Sequence, residues 1–285
     1  MASIVARSDF IKTADGVRLS YSQHGPSSGP KLLFIPGWCQ TGLQFKKQVE
    51  YFKKNFLVTT YDHRGHGDSD KPAYGYRIAR LAADLDALLT QLDLRDVTLL
   101  GHSMGASVTW AHWDLFPHDR ISKIVVIDQS PVMIANPAWL PEQATSYAAL
   151  FAPEAVWAFA NALSGPDGKA TYEGLAKQFF SPDIAQADLE WALEQNFKIP
   201  LEHAATLFIN HATIDWRDVL PRINVPTLVV AGKISLAHYQ GIEWVASQIP
   251  GSQLETFEKE EGGSHCMFWE NPEKFNRLVE GFLSS

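Results

Sequence analysis

The stretch "VTLLGHSMGASVTWAHWDLF" (97–116) decides the fold. Its first half is a short run of apolar and β-branched residues, as in a strand buried on both faces. Its second half reads as a helix. The joint is Gly101-His102-Ser103-Met104-Gly105, a Gly-x-Ser-x-Gly pattern. A turn this sharp forces the central serine into a strained conformation, and the flanking glycines let backbones approach where a Cβ would collide. The hydroxyl then stands at a helix N-terminus, where N–H groups favour developing negative charge. The pattern alone is weak. Between a strand and a helix it points to Ser103 as a nucleophile, the plainer alternative being a serine that caps the helix.

The same alternation extends outward. "KLLFIPG" (31–37), "FLVTTYD" (56–62), "ISKIVVIDQ" (121–129) and "TLVVAGK" (227–233) are further buried-strand runs. Residues 77–92 place Ile78, Leu81, Leu85, Leu88 and Leu92 on one helical stripe. Residues 241–251 read as a helix ending at Pro250 and Gly251, and residues 271–285 as a final helix with Asn271 as cap. The opening "FIKTADGVRLSYSQHG" (10–25) alternates about Asp15-Gly16 and reads as an antiparallel hairpin. The expected architecture is α/β, with a mostly parallel central sheet flanked by helices. Residues 133–220 lack a strand pattern and are rich in aromatics, including Trp139, Phe151, Phe179 and Phe208. They are expected to form a helical cap inserted into a core made of 1–132 and 221–285, over the strand ends where ligands bind.

The totals narrow the function. The 285 residues carry a formal charge of −8, with 46% hydrophobic and 20% charged residues. That balance fits a globular protein and argues against a nucleic-acid partner. No stretch has the length of a membrane span or the pattern of a leader, so a cytoplasmic setting without membrane association is expected. Cys39 and Cys266 are expected to be buried thiols rather than a redox pair. No phosphate-binding glycine loop occurs, and His63-x-x-His66 is too little for zinc, so no cofactor and no metal are expected.

Four further motifs carry a resemblance: "FIPGW" (34–38), "YDHRGHGDSDKP" (61–72), "DWRDVLPRINVPTLVVAG" (215–232) and "GGSHCMFWENPEKF" (262–275). With the serine turn, in this order, the chain is similar to the α/β-hydrolase-fold proteins along nearly its whole length. The resemblance implies that His265 is the base for Ser103, and that the backbone N–H groups of Trp38 and Met104 form the oxyanion hole. The remaining histidines, His211 among them, are read as surface or core residues. Two positions depart from the family pattern: Pro36 stands where histidine is common, and Ser235 where the acid commonly sits. Ser235 cannot supply a charge. Some relatives carry their acid after the strand that follows the nucleophile helix, and there this chain has Asp128. An aspartate following "IVVI" needs a partner, and a histidine base is one. Asp215, otherwise a helix cap, is the second candidate, and Glu243 a weaker one.

Serine at the turn argues against the relatives that use aspartate there, the haloalkane dehalogenases and epoxide hydrolases. The expected function is cofactor-free hydrolysis of a small apolar ester or lactone through an acyl-enzyme, by a monomer or homodimer. The resemblance leaves three alternatives: a cofactor-free ring-cleaving dioxygenase, a C–C bond hydrolase and a small-molecule sensor.

Overall fold

The computed structural model describes residues 4–149 and 151–285. Residues 1–3, part of the N-terminal stretch read above for a leader, lie outside the described residues. Eight strands form one sheet: β1 (Ile4–Lys12), β2 (Arg18–Pro26), β3 (Lys31–Ile35), β4 (Leu57–Tyr61), β5 (Val97–His102), β6 (Ile121–Ile127), β7 (Thr227–Gly232) and β8 (Gln253–Phe257). Their order across the sheet is β1-β2-β4-β3-β5-β6-β7-β8. β1 and β2 pair antiparallel at one edge, as the alternation about Asp15-Gly16 implies, and every pair from β4 to β8 is parallel.

The helices are α1 (Lys46–Phe52), α2 (Ile78–Gln91), α3 (Met104–Leu115), α4 (Pro141–Ser146), α5 (Pro153–Leu163), α6 (Gly168–Ala176), α7 (Gln186–Asn196), α8 (Leu201–Ala212), α9 (Tyr239–Gln248), α10 (Met267–Glu270) and α11 (Pro272–Ser284). α2 buries Ile78, Leu81, Leu85 and Leu88 of its stripe. Parallel strands must be covered on both faces, and the central ones are. Every residue of β4, β5 and β7 is buried. β8 differs: as an edge strand it exposes Gln253, Leu254 and Glu255, so no buried run marks it in the sequence. Between β6 and β7 the described chain holds α4 to α8, with strand-like pairing only in the isolated bridges Val132–Asp215 and Ile134–Phe151. Among the described residues, no helix is long and apolar enough to cross a membrane.

Candidate active site

The carboxyl ends of β3, β5, β6 and β7 converge on a pocket of about 590 Å³, mouth included. Ser103, Asp128 and His265 all line it. Ser103 follows β5 with φ 52° and ψ −124°, and α3 begins at the next residue. This conformation is costly for a residue with a side chain, by about 1–3 kcal/mol, and holds only where the surroundings enforce it. Gly105 is part of that enforcement: a Cβ there would lie 2.1 Å from the Ile35 carbonyl oxygen. Strand β3 and helix α3 touch through that glycine.

Asp128 follows β6, also at positive φ (53°), and its side chain is fully buried. Its N–H donates to the Val230 carbonyl on β7 at 2.9 Å. The carboxylate accepts from His265 Nδ1 at 2.6 Å and from the Gly232 N–H at 3.3 Å. The Ser235 hydroxyl donates to the oxygen that takes the imidazole, Oδ2. Ser235 therefore contacts the carboxylate of Asp128, the first candidate for the acid. Asp215, the other candidate, is spent elsewhere. Burial works against its charge, but Arg217 at 2.6 Å holds its carboxyl below the usual range. It does not line the pocket.

An imidazole that gives its Nδ1 proton to a carboxylate presents Nε2 as a base. The backbone of His265 is fixed as well, because its carbonyl accepts from His102 Nε2 at 2.9 Å. His102 is wholly buried, and burial pushes it well below the ordinary imidazole range. Its Nδ1 lies 2.8 Å from the side-chain amide of Gln40. No hydrogen bond joins Ser103 Oγ to His265 among the described residues, and such pairs often tighten only around substrate.

The loop 36–40 packs directly on Ser103. A Cβ on Gly37 would lie 3.2 Å from the serine Cβ. Neither the Trp38 N–H nor the Met104 N–H donates a hydrogen bond among the described residues. The loop is braced from behind by both histidines of the 61–72 motif. His63 Nε2 donates to the Pro36 carbonyl at 3.0 Å, and His66 Nε2 accepts from the Cys39 N–H at 3.2 Å. Burial lowers both, His63 to about 3 and His66 to about 4, so each ring is neutral. Between them Arg64, fully buried, reaches Asp84 at 2.6 Å and Asp15 at 3.0 Å and anchors the motif.

The Trp38 indole donates to the Ala204 carbonyl at 2.9 Å and packs its ring on Phe208 and Tyr172. This ties the loop to α8. Cys39 and Cys266 are both buried free thiols, pushed well above the ordinary thiol range by burial. The rest of the pocket is mostly apolar, with Met133, Phe151, Leu175, Phe179 and Leu236 among its walls. His211, read from the sequence as a surface or core residue, also lines it. No lysine or arginine does, among the described residues. No group of three or more His, Cys, Asp or Glu is arranged to hold a metal ion among them.

Comparison with known proteins agrees with this fold. The chain is 28% identical over 266 residues to a putative non-heme chloroperoxidase of Synechocystis sp., covering 90% of this chain and 92% of that one. It is 27% identical to 3-oxoadipate enol-lactonase 2 of Acinetobacter baylyi, over 95% of each chain. Among solved structures, an esterase from Exiguobacterium antarcticum superposes with a TM-score of 0.88 at 26% identity, over 98% of this chain and all of that one. The family model for the alpha/beta hydrolase fold matches residues 30–272. The chain thus belongs to the alpha/beta hydrolase fold family.

Proposed function

We propose that the protein is a serine hydrolase acting on a small, uncharged ester or lactone through an acyl-enzyme. The observation that carries this reading is the contact of 2.6 Å between His265 Nδ1 and buried Asp128, in a pocket that also holds strained Ser103. In the reading, His265 Nε2 takes the Ser103 proton while Oγ attacks the substrate carbonyl. The oxyanion that forms is met by the Trp38 and Met104 N–H groups. His265 passes its proton to the leaving alkoxide, and the alcohol departs, leaving an ester on Ser103. For a lactone the alcohol stays attached to the acyl chain. Water then gives a proton to His265 and its oxygen to the acyl carbon, and collapse returns the proton to Ser103.

The pocket supports an uncharged substrate because apolar walls reward burial and, among the described residues, no lysine or arginine lines it. Residues 133–220 would act as the cap, with α8 as one wall. A relative named for enol-lactone chemistry and a structural neighbour named as an esterase favour the same class. The test is hydrolysis of short p-nitrophenyl esters by the pure protein, with labelling by a fluorophosphonate. Turnover and labelling that both vanish in Ser103→Ala are expected. Absence of both in the wild type would remove the proposal.

A further inference from the structure

Among the described residues, three hydrogen bonds join helix α8 to other parts of the molecule. The Ala204 carbonyl accepts from the Trp38 indole at 2.9 Å, and Asn210 Oδ1 accepts from the Ile78 N–H at 2.8 Å. The third joins His211 Nε2 to Ser107 Oγ at 3.1 Å. Ser107 is fully buried on α3, one helical turn beyond Ser103. The His211 ring is itself only 3% exposed and lines the pocket. Its second nitrogen, Nδ1, has no hydrogen-bond partner among the described residues. A polar atom that opens onto a mostly apolar pocket is one of the few groups there that can orient what binds.

Two properties define the partner. Burial, with the nearby His265 adding to it, holds His211 at about 3, so the ring is neutral throughout the ordinary pH range. It can offer a hydrogen bond but no charge. Position supplies the second property. The leaving oxygen must meet His265, which Phe179 flanks at 5.2 Å between ring centroids. The acyl half of a bound ester stays bonded to Ser103, and His211 is held to Ser107 on the same helix, one turn further on. Ser107 lies about 6 Å along the helix axis from Ser103. The group that meets His211 must sit a few bonds from the carbonyl under attack.

We propose that His211 is a substrate-recognition residue whose free ring nitrogen hydrogen-bonds an uncharged oxygen function, a hydroxyl or a keto or amide carbonyl, on the acyl chain of the ester or lactone. This rests on the hydrolase reading above and names its substrate class. The acyl chain is then oxygenated rather than plainly aliphatic.

The test uses p-nitrophenyl hexanoate and a series in which one hydroxyl or keto group is moved stepwise along the hexanoyl chain. The wild type should favour one oxygenated position over plain hexanoate by roughly 10- to 100-fold in kcat/KM. His211→Phe should bring that ratio close to one. His211→Asn, which keeps a donor and an acceptor on a shorter stem, should keep part of it. If His211→Phe does not fold, a reduced ratio in His211→Asn carries the same conclusion, and an unchanged ratio overturns it. A wild type that hydrolyses plain hexanoate but prefers no oxygenated chain overturns the recognition role and leaves the hydrolase reading standing. So does His211→Phe lowering both substrates by one factor. A wild type that hydrolyses no member of the series removes the hydrolase reading, and this proposal with it.

Discussion

Moving the carboxylate from residue 128 to residue 235 should keep part of the activity that deleting it destroys. Asp128 holds His265 Nδ1 at 2.6 Å from a fully buried position. That contact puts the two charge centres about 4 Å apart once the imidazole is protonated. At an effective dielectric of 20 the attraction is about 4 kcal/mol. Asp128→Asn removes it and lets the amide favour the wrong imidazole tautomer, so acylation should fall about 10³- to 10⁴-fold. The Ser235 hydroxyl already touches the same carboxylate oxygen. An aspartate at 235 therefore starts within reach of His265. The double variant Asp128→Ser/Ser235→Asp should label with a fluorophosphonate at least tenfold faster than Asp128→Ser alone. The labelling rate is a suitable assay because it needs an activated serine and no knowledge of the substrate. Melting curves would establish that each variant is folded. Asp128→Asn labelling within tenfold of wild type would refute the assignment of the acid. A double variant no faster than the single one would refute the geometric argument for exchange.

Other perturbations address the scaffold. His63→Ala removes the donor to the Pro36 carbonyl and loosens the loop that carries the Trp38 N–H; kcat for p-nitrophenyl butyrate should fall about tenfold with KM nearly unchanged, and equal change in both would point to lost binding instead. Gly105→Ala forces a methyl to 2.1 Å from the Ile35 carbonyl oxygen; a loss of about 3 kcal/mol in urea unfolding is expected, and a stable variant would contradict the close approach. Four buried histidines, His63, His66, His102 and His211, stay neutral when folded yet take up protons below about pH 6.5 when unfolded. Stability should therefore fall as pH drops from 6.5 toward 4, each ring contributing up to about 1.4 kcal/mol per pH unit, with Asp62 and Asp84, lifted by burial, opposing this at the acid end; a urea midpoint unchanged between pH 6.5 and 5 would contradict it.

What the sequence makes legible is what neighbouring residues decide together. The elbow at Ser103, the buried runs of β3 to β7 and the stripe of α2 are local patterns, and each forms where it was expected. β8 is not legible because an edge strand has solvent on one side and needs no apolar run. The sequence ranks Asp128 ahead of Asp215 and Glu243 by its place after a buried strand, but shows no partner for it. Asp128 and Asp215 both sit beside a strand or a short helix, and the contact of Asp128 with His265, 137 residues on, appears only in the fold. The bracing histidines and His211 go unrecognised for the same reason. Their partners, Pro36 for His63 and Ser107 for His211, lie 27 and 104 residues away. No periodicity records a contact of that kind.

If Asp128, just after β6, is the acid, the residue beyond β7 that touches it should carry no charge, and Ser235 carries none. The two strands are adjacent and parallel, with Ile127 opposite Val230. Neighbouring strands run about 4.8 Å apart, so a carboxylate at either end can reach one histidine. Both ends cannot carry one at once, because two carboxylates in contact cannot both ionise. Ser235→Asp alone tests this. The added carboxyl would sit, partly buried, against the buried Asp128, and one of the two would keep its proton above the usual carboxylate range. A carboxyl whose folded pKa is raised favours the folded state at low pH and loses that contribution as pH rises. The variant should then be destabilised relative to wild type by more at pH 8 than at pH 5, by about 1–3 kcal/mol, and urea unfolding at the two values measures the difference. A serine in the same place offers a hydroxyl to the carboxylate at either pH. An equal deficit at pH 5 and pH 8 would mean that the two side chains avoid one another, and the serine would then be a matter of packing rather than of charge.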